Sequence, residues 1–211
     1  MHPTINEIYE GIINGQNAFV QQKVKEALAA GLPPADVLNH GMIAAMAEVG
    51  KRFEEGEYYV PEMLIAARAM QGGMALLKPH LKQGEIKSPG KVAIGTVKGD
   101  LHDIGKNLVA MMLEGAGFEI MDLGTDVSPQ KFVEAVRAGV TVIAMSALLT
   151  TTMTNMEVTV TALEEAGLRS QVKIMIGGAP VTEAYARQIG ADGYGVDASR
   201  AVGVAKTLVA A

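Results

Sequence analysis

The chain contains no cysteine among its 211 residues, which removes disulfides, thiolate metal sites and protein-ligated iron–sulfur clusters. Any metal must be held by nitrogen or oxygen, or arrive inside an organic cofactor. Positive charge is also scarce: 18 Lys and Arg stand against 23 Asp and Glu, a formal net charge of −5. There is no basic footprint to neutralise phosphates, so no nucleic-acid partner is expected. No apolar run approaches the roughly 18 residues that a membrane-spanning helix requires. The first residues, Met1-His2-Pro3-Thr4-Ile5-Asn6-Glu7, lack the cationic and apolar regions of a signal peptide. These absences predict a soluble, cytoplasmic chain with no membrane partner. Internal repeats and low-complexity tracts are missing as well.

What is present is an apolar content of 49%, enough for a sizeable core in a chain longer than one average domain, so two compact units are expected. Their textures differ. From Thr4 to about Lys82 the pattern is helical. Ile5, Ile8, Tyr9 and Ile12 make one stripe; Phe19, Val20, Val24, Ala27 and Leu28 make a second that stops at Gly31. Pro33-Pro34 opens a third helix with Val37, Leu38, Met42, Ala45, Met46, Val49 and Phe53 at helical spacing, closed by Gly56. A fourth runs from about Pro61 to Leu81. Four antiparallel helices on short loops predict a small bundle over 1–88. Residues 83–90, rich in turn formers and charge, read as an interdomain linker.

Beyond the linker, over 89–211, apolar runs at 91–97, 118–123, 140–145 and 172–176 alternate with helical patterns at 104–115, 129–138, 153–166 and 181–189. A short run near Tyr194 to Val196 precedes a last helix, Ser199 to Val209. Alternation of this kind predicts an α/β, Rossmann-like, doubly wound unit: five parallel strands with right-handed crossovers, covered on both faces, in the flavodoxin-like order 2-1-3-4-5.

Three segments carry chemistry, and each follows a strand, where open α/β sheets place their ligands. The first is Gly99-Asp100-Leu101-His102-Asp103-Ile104-Gly105. Its glycines permit a sharp turn and the approach of something bulky, while Asp100 can accept the proton on the ring nitrogen that faces away from a bound metal. His102 is therefore read as reaching toward a large metal cofactor. The second is Met145 to Thr152, small and hydroxyl-bearing after strand three. The third is Ile176-Gly177-Gly178-Ala179-Pro180 after strand four. Strands one, three and four are expected side by side, so the three loops converge on one crevice, and the small residues there leave a slot beside the sheet. Plainer roles exist for the same residues. Asp103 and Asp100 can cap helices, Gly177-Gly178 can be a tight turn, Thr150 to Thr152 a helix start, and Tyr58, Tyr59 and the methionines core.

These three segments resemble the Asp-x-His-x-x-Gly, Ser-x-Leu and Gly-Gly signatures of cobalamin-binding domains, in matching order and separation. With the bundle in front, the chain is similar over nearly its whole length to the corrinoid proteins of anaerobic methyltransferase systems, relatives of the cobalamin module of methionine synthase. The resemblance implies that the cofactor's own base leaves cobalt and is threaded into the slot while His102 replaces it as the axial ligand, the base-off, His-on arrangement. Asp100 becomes the partner of His102. Thr152 stands where methionine synthase-like modules have a serine. Ser146, Leu148 and Thr150 line the tail pocket, Gly177 and Gly178 flank the nucleotide loop, and Ala198 in Asp197-Ala198-Ser199-Arg200 makes a backbone contact on the other side. Tyr58, Tyr59, Met63 and Leu64, around the start of the fourth helix, are nominated as the cap over the upper face.

The implied function is that of a methyl carrier with little activity alone. A substrate-specific methyltransferase loads it from a methylamine, methanol or a methoxylated aromatic; a second methyltransferase unloads it to tetrahydrofolate or coenzyme M; a reductive activator rescues oxidised cobalt. Rival readings are the cobalamin subunit of an adenosylcobalamin-dependent mutase, against which the amino-terminal bundle argues, and a cobalamin sensor, for whose DNA-binding segment the chain has neither length nor charge. A flavin or phosphate binder of flavodoxin type would have no need of His102.

Overall fold

The computed structural model describes residues 2–81 and 88–210. The chain divides between Lys87 and Ser88 into two compact units, the short turn Gly115–Gly117 excepted. The amino-terminal unit contains α1 (Pro3–Ile13), α2 (Asn17–Ala29), a long helical segment and α5 (Val60–Leu77), which ends in a 3₁₀ turn, Lys78–His80. The long segment consists of α3 (Pro34–Asp36), a π-helix at Val37–Ile43 and α4 (Ala44–Glu54). The sequence predicts one uninterrupted α-helix here, and the π stretch is a correction that the burial pattern does not explain, since Val37, Leu38, Gly41, Met42, Ala45, Met46 and Val49 are buried at ordinary helical spacing. Residues 83–87 of the expected linker at 83–90 lie outside the described residues.

In the second unit β1 (Lys91–Val97), α6 (Ile104–Gly115), β2 (Glu119–Val127), α7 (Pro129–Arg137), β3 (Val142–Ser146) and α8 (Thr150–Glu165) follow in order. After a 3₁₀ turn at Arg169–Gln171 come β4 (Lys173–Gly177), α9 (Glu183–Gln188), β5 (Gly193–Gly195) and α10 (Ala198–Ala210). The strands are parallel in the order β2-β1-β3-β4-β5, as the alternation predicts. β2 runs to Val127, four residues past its expected end.

Pleating sorts the strand residues between two covered faces. Ala93, Ile143, Met145, Ile174 and Ile176 pack with Phe132 and Val136 of α7, Met156, Val160 and Leu163 of α8, and Ala186 of α9. Val92, Ile94, Val142, Ala144 and Met175 point the other way and are equally buried. Double-sided burial is why these strands read as continuous apolar runs rather than alternating ones. Gly95 matters to the first face, because a Cβ there would stand 3.1 Å from the ring tip of Phe132 and 3.0 Å from Val127. The central strands β1, β3 and β4 are thus fixed rigidly, and the loops leaving their carboxyl ends inherit that rigidity.

Candidate functional site

β1 leaves the sheet at Val97 and reverses at Gly99, whose φ of +81° is in the left-handed region that favours glycine. The Asp100 amide closes the turn on the Val97 carbonyl at 3.1 Å. This geometry drives the Asp100 side chain into the protein, where it is 0% exposed, and leaves the next polar side chain, His102, facing out.

The two are joined through one oxygen. Asp100 Oδ1 accepts the His102 amide at 3.1 Å and lies 2.8 Å from His102 Nδ1. The other oxygen, Oδ2, accepts the Thr152 hydroxyl at 2.6 Å and the Leu148 amide at 2.8 Å, with the Leu149 amide at 3.4 Å. Burial alone would raise the pKa of Asp100. The Thr152 hydroxyl, the Leu148 amide and the His102 backbone and ring outweigh it and hold the carboxyl well below the usual carboxylate range. An ionised Asp100 is acceptor-only, so the ring nitrogen facing it, Nδ1, carries a proton, and in the neutral ring Nε2 is the nitrogen with the free lone pair. The ring is 52% exposed, and no partner for Nε2 occurs among the described residues. The assembly presents one nitrogen donor of fixed tautomer at the carboxyl edge of the sheet. The capping role considered for Asp100 is also filled, at the start of α8 rather than of α6.

This arrangement sets a pH dependence. The folded pKa of Asp100 is depressed, so its contribution to stability is complete above the unfolded carboxyl value near 3.9 and fades as pH falls toward the folded value. Urea midpoints of the wild type and Asp100→Asn should differ most at pH 5 to 7 and converge below about pH 4. A gap that stays constant down to about pH 3 would show that the carboxyl is not held ionised.

Around His102 the surface is apolar and open. Leu101 is 73% and Ile104 79% exposed; Leu148 and Leu149, whose amides meet Asp100, are exposed too. Large apolar side chains left in solvent around an imidazole fit a broad, largely apolar ring better than water. Gly105 adds room, since a Cβ there would meet nothing within 4 Å. Asp103 accepts the Asn107 amide on its carbonyl at 2.8 Å and the Asn107 side chain on Oδ2 at 3.1 Å, securing the first turn of α6. Ser146 is half-buried at the end of β3, and Thr150 is exposed at the start of α8. Ala198 is buried in the first turn of α10, where Asp197 Oδ1 accepts the Arg200 amide at 2.8 Å.

The diglycine needs correcting. The expectation was a slot opened by missing side chains. Instead, a Cβ on Gly178, whose φ is +127°, would overlap the carbonyl oxygen of Ala147, and one on Gly177 would stand 2.8 Å from the Gly195 carbonyl. These glycines let the ends of β3, β4 and β5 close on one another. The tight-turn alternative describes their local role.

The four nominated cap residues also separate. Tyr59 is 66% exposed. Tyr58 is half-buried, its hydroxyl donating to the Ile13 carbonyl at 3.2 Å and accepting from Arg52 Nη1 at 3.2 Å. Leu64 is half-buried. Met63 is fully buried on the stripe it shares with Ala66, Ala67 and Met70, so it does not share an exposed face with Tyr59.

Sequence reasoning missed several supports of the histidine loop. The buried Thr96 donates its hydroxyl to the His102 carbonyl at 2.8 Å. Asn155 on α8 donates to the Lys98 carbonyl at 2.9 Å. Lys106, 2% exposed, places Nζ 2.7 Å from both Asp122 oxygens and 2.7 Å from Asn107 Oδ1. No group of three or more His, Cys, Asp or Glu that could hold a metal ion occurs among the described residues. Likewise, no helix among the described residues is long and apolar enough to cross a membrane.

Comparison with known proteins bears on the same residues. A B12 binding domain model matches residues 90–203, and a second B12 binding domain model matches residues 4–78. The trimethylamine corrinoid protein of Methanosarcina barkeri is 46% identical over 203 residues, 95% of this chain and 94% of that protein. A dimethylamine corrinoid protein of Methanosarcina acetivorans is 42% identical, covering 97% and 96%. The crystal structure of the methanol:cobalamin methyltransferase complex MtaBC from Methanosarcina barkeri superposes with a TM-score of 0.89 at 29% identity, covering 99% of this chain and 80% of that one. With B12 binding domain models matching both units and corrinoid proteins similar over nearly the whole length, this chain belongs to the family of B12-binding corrinoid proteins.

Proposed function

We propose that this chain is the methyl carrier of a methylamine-dependent methyltransferase system, holding its corrinoid base-off with His102 as the lower axial ligand. The observation that carries the reading is the His102–Asp100–Thr152 series, in which a buried anion fixes Nδ1 and leaves Nε2 available on an apolar surface. The similarity to trimethylamine and dimethylamine corrinoid proteins supports a methylamine as the source. A bound corrinoid supplies a cobalt centre able to take and give a methyl group.

The chain's own contribution is binding and tuning. His102 Nε2 would hold the cobalt. Asp100, itself held by Thr152 and the Leu148 amide, keeps the proton on Nδ1 and raises the basicity of the donor nitrogen. Leu101, Ile104 and Gly105 offer an apolar, uncrowded seat. Ser146, Leu148, Thr150 and Ala198 lie at the carboxyl edge of the sheet, suited to the displaced nucleotide tail, and Gly99, Gly177 and Gly178 set the backbone around them. In this reading one methyltransferase loads the carrier, a second unloads it to tetrahydrofolate or coenzyme M, a reductive activator restores it, and all operate in the cytoplasm.

His102→Ala tests the assignment. A loop side chain this exposed carries about 1 kcal/mol of stability or less, so the variant should fold. Loaded with hydroxocobalamin, it should show a visible spectrum moved from the nitrogen-ligated toward the water-ligated form. Identical spectra for the two proteins would remove His102 as the ligand.

A further inference from the structure

Asp126 is the one non-glycine among the described residues with a positive φ, +51°, a conformation that its surroundings must sustain. Two hydrogen bonds to the histidine loop do so. Asp126 Oδ1 accepts the Gly99 amide at 2.7 Å, and the Asp126 amide donates to the Asp100 carbonyl at 3.0 Å. One residue therefore grips both sides of the turn that aims His102.

The grip depends on a fault in the sheet. Pairing of β1 with β2 slips twice, Ile94 to Gly95 standing opposite Asp122 to Gly124, and Gly95 to Val97 opposite Gly124 to Val127. Each slip adds a residue to β2, and bulges of this kind redirect a strand next to functional sites. The redirected segment is braced from α6: Lys106 pairs with Asp122, whose Oδ1 accepts the Gly124 amide at 2.9 Å. Asp100 is thus clamped from two directions, its carboxylate by the start of α8 and its backbone by Asp126.

We propose that Asp126 is a positioning residue for the axial histidine, acting through the Gly99–Asp100 backbone without touching a ligand. The proposal rests on the assignment of His102 as the axial donor made above. Asp126→Gly removes the carboxylate while accepting the backbone conformation, and Asp126→Asn keeps an oxygen acceptor on a residue that tolerates positive φ.

Two measurements on the full chain test the role. In the ligand-free protein, hydrogen exchange at the Gly99 amide should accelerate about tenfold in Asp126→Gly, the loss of one hydrogen bond to a charged acceptor. Exchange at Ile94 in the middle of β1 should not change, and Asp126→Asn should restore most of the protection. With hydroxocobalamin bound, the visible spectrum of Asp126→Gly should move toward that of His102→Ala, and Asp126→Asn should move it back. Gly99 exchange within about twofold of wild type, or acceleration shared equally by Ile94, overturns the grip. A wild-type spectrum in Asp126→Gly, with His102→Ala clearly different, overturns the positioning role alone. Wild-type and His102→Ala spectra that coincide overturn the axial assignment itself.

Discussion

Asp100→Ala should lower the stability of the apoprotein by about 3–5 kcal/mol, since several donors lose their acceptor and each buried one left unsatisfied costs about 1–3 kcal/mol. Those donors are the Leu148 amide, the Thr152 hydroxyl and the His102 amide and ring. An alanine satisfies none of them, and the side-chain position is closed to water, being 0% exposed. Thr152→Val should cost less, about 1–3 kcal/mol, because it removes one donor and leaves the carboxylate its backbone amides. The two changes share a bond, so in a double-mutant cycle their effects should fall short of additive by about 1 kcal/mol or more. Urea unfolding of the four proteins at pH 7 measures this. Additive losses would mean that Thr152 stabilises α8 independently of Asp100.

Gly178→Ala should be the most damaging single methyl in the second unit, at about 4 kcal/mol or more. The added carbon would overlap a backbone oxygen, that of Ala147, which cannot rotate away as the end of a side chain could. The backbone φ of +127° adds strain for any L side chain. Relief requires the ends of β3 and β4 to part, and the Ala147 amide is bonded to the Gly177 carbonyl at 3.3 Å in that region. Gly105→Ala is the control, with open space for its Cβ and an expected change within about 0.5 kcal/mol. Chemical denaturation of both variants decides the matter. A loss below about 1 kcal/mol at Gly178 would show that the strand ends have slack. A bulky residue at 178 therefore probes strand closure before it probes room for a nucleotide.

Much of this was legible from residue order. Alternating apolar runs and helical periods specify a parallel sheet because double-sided burial and crossover helices leave that texture, and the strand order followed. The histidine loop was legible because its chemistry is local: Asp100 and His102 are two residues apart, and a two-residue reach is set by the turn itself. Thr152 was reached only through the resemblance, since it lies 52 residues from Asp100, beyond anything that spacing can show. Thr96, Asn155 and Asp126 were missed for a related reason. Each is an ordinary polar residue whose importance comes from the register that places it beside the loop, and β2 gains its two extra residues by bulging, which leaves no compositional mark. The π-helix left none either, because its buried residues Val37, Leu38, Gly41 and Met42 keep the spacing of a regular helix. The diglycine was misread because absent side chains signal equally an opening and a close approach, and only the neighbouring carbonyls distinguish them.

The reach of the Asp100 contacts has a consequence for biogenesis. Leu148 and Thr152 follow Asp100 by 48 and 52 residues, so the imidazole is tethered to a free-swinging loop until β3 has docked beside β1 and α8 has started. Parallel pairing of β1 with β3 across an intervening α–β–α stretch is a non-local, slow event in folding. A nascent chain therefore completes the contacts that orient the His102 ring late, once the carboxyl-terminal half has begun to pack.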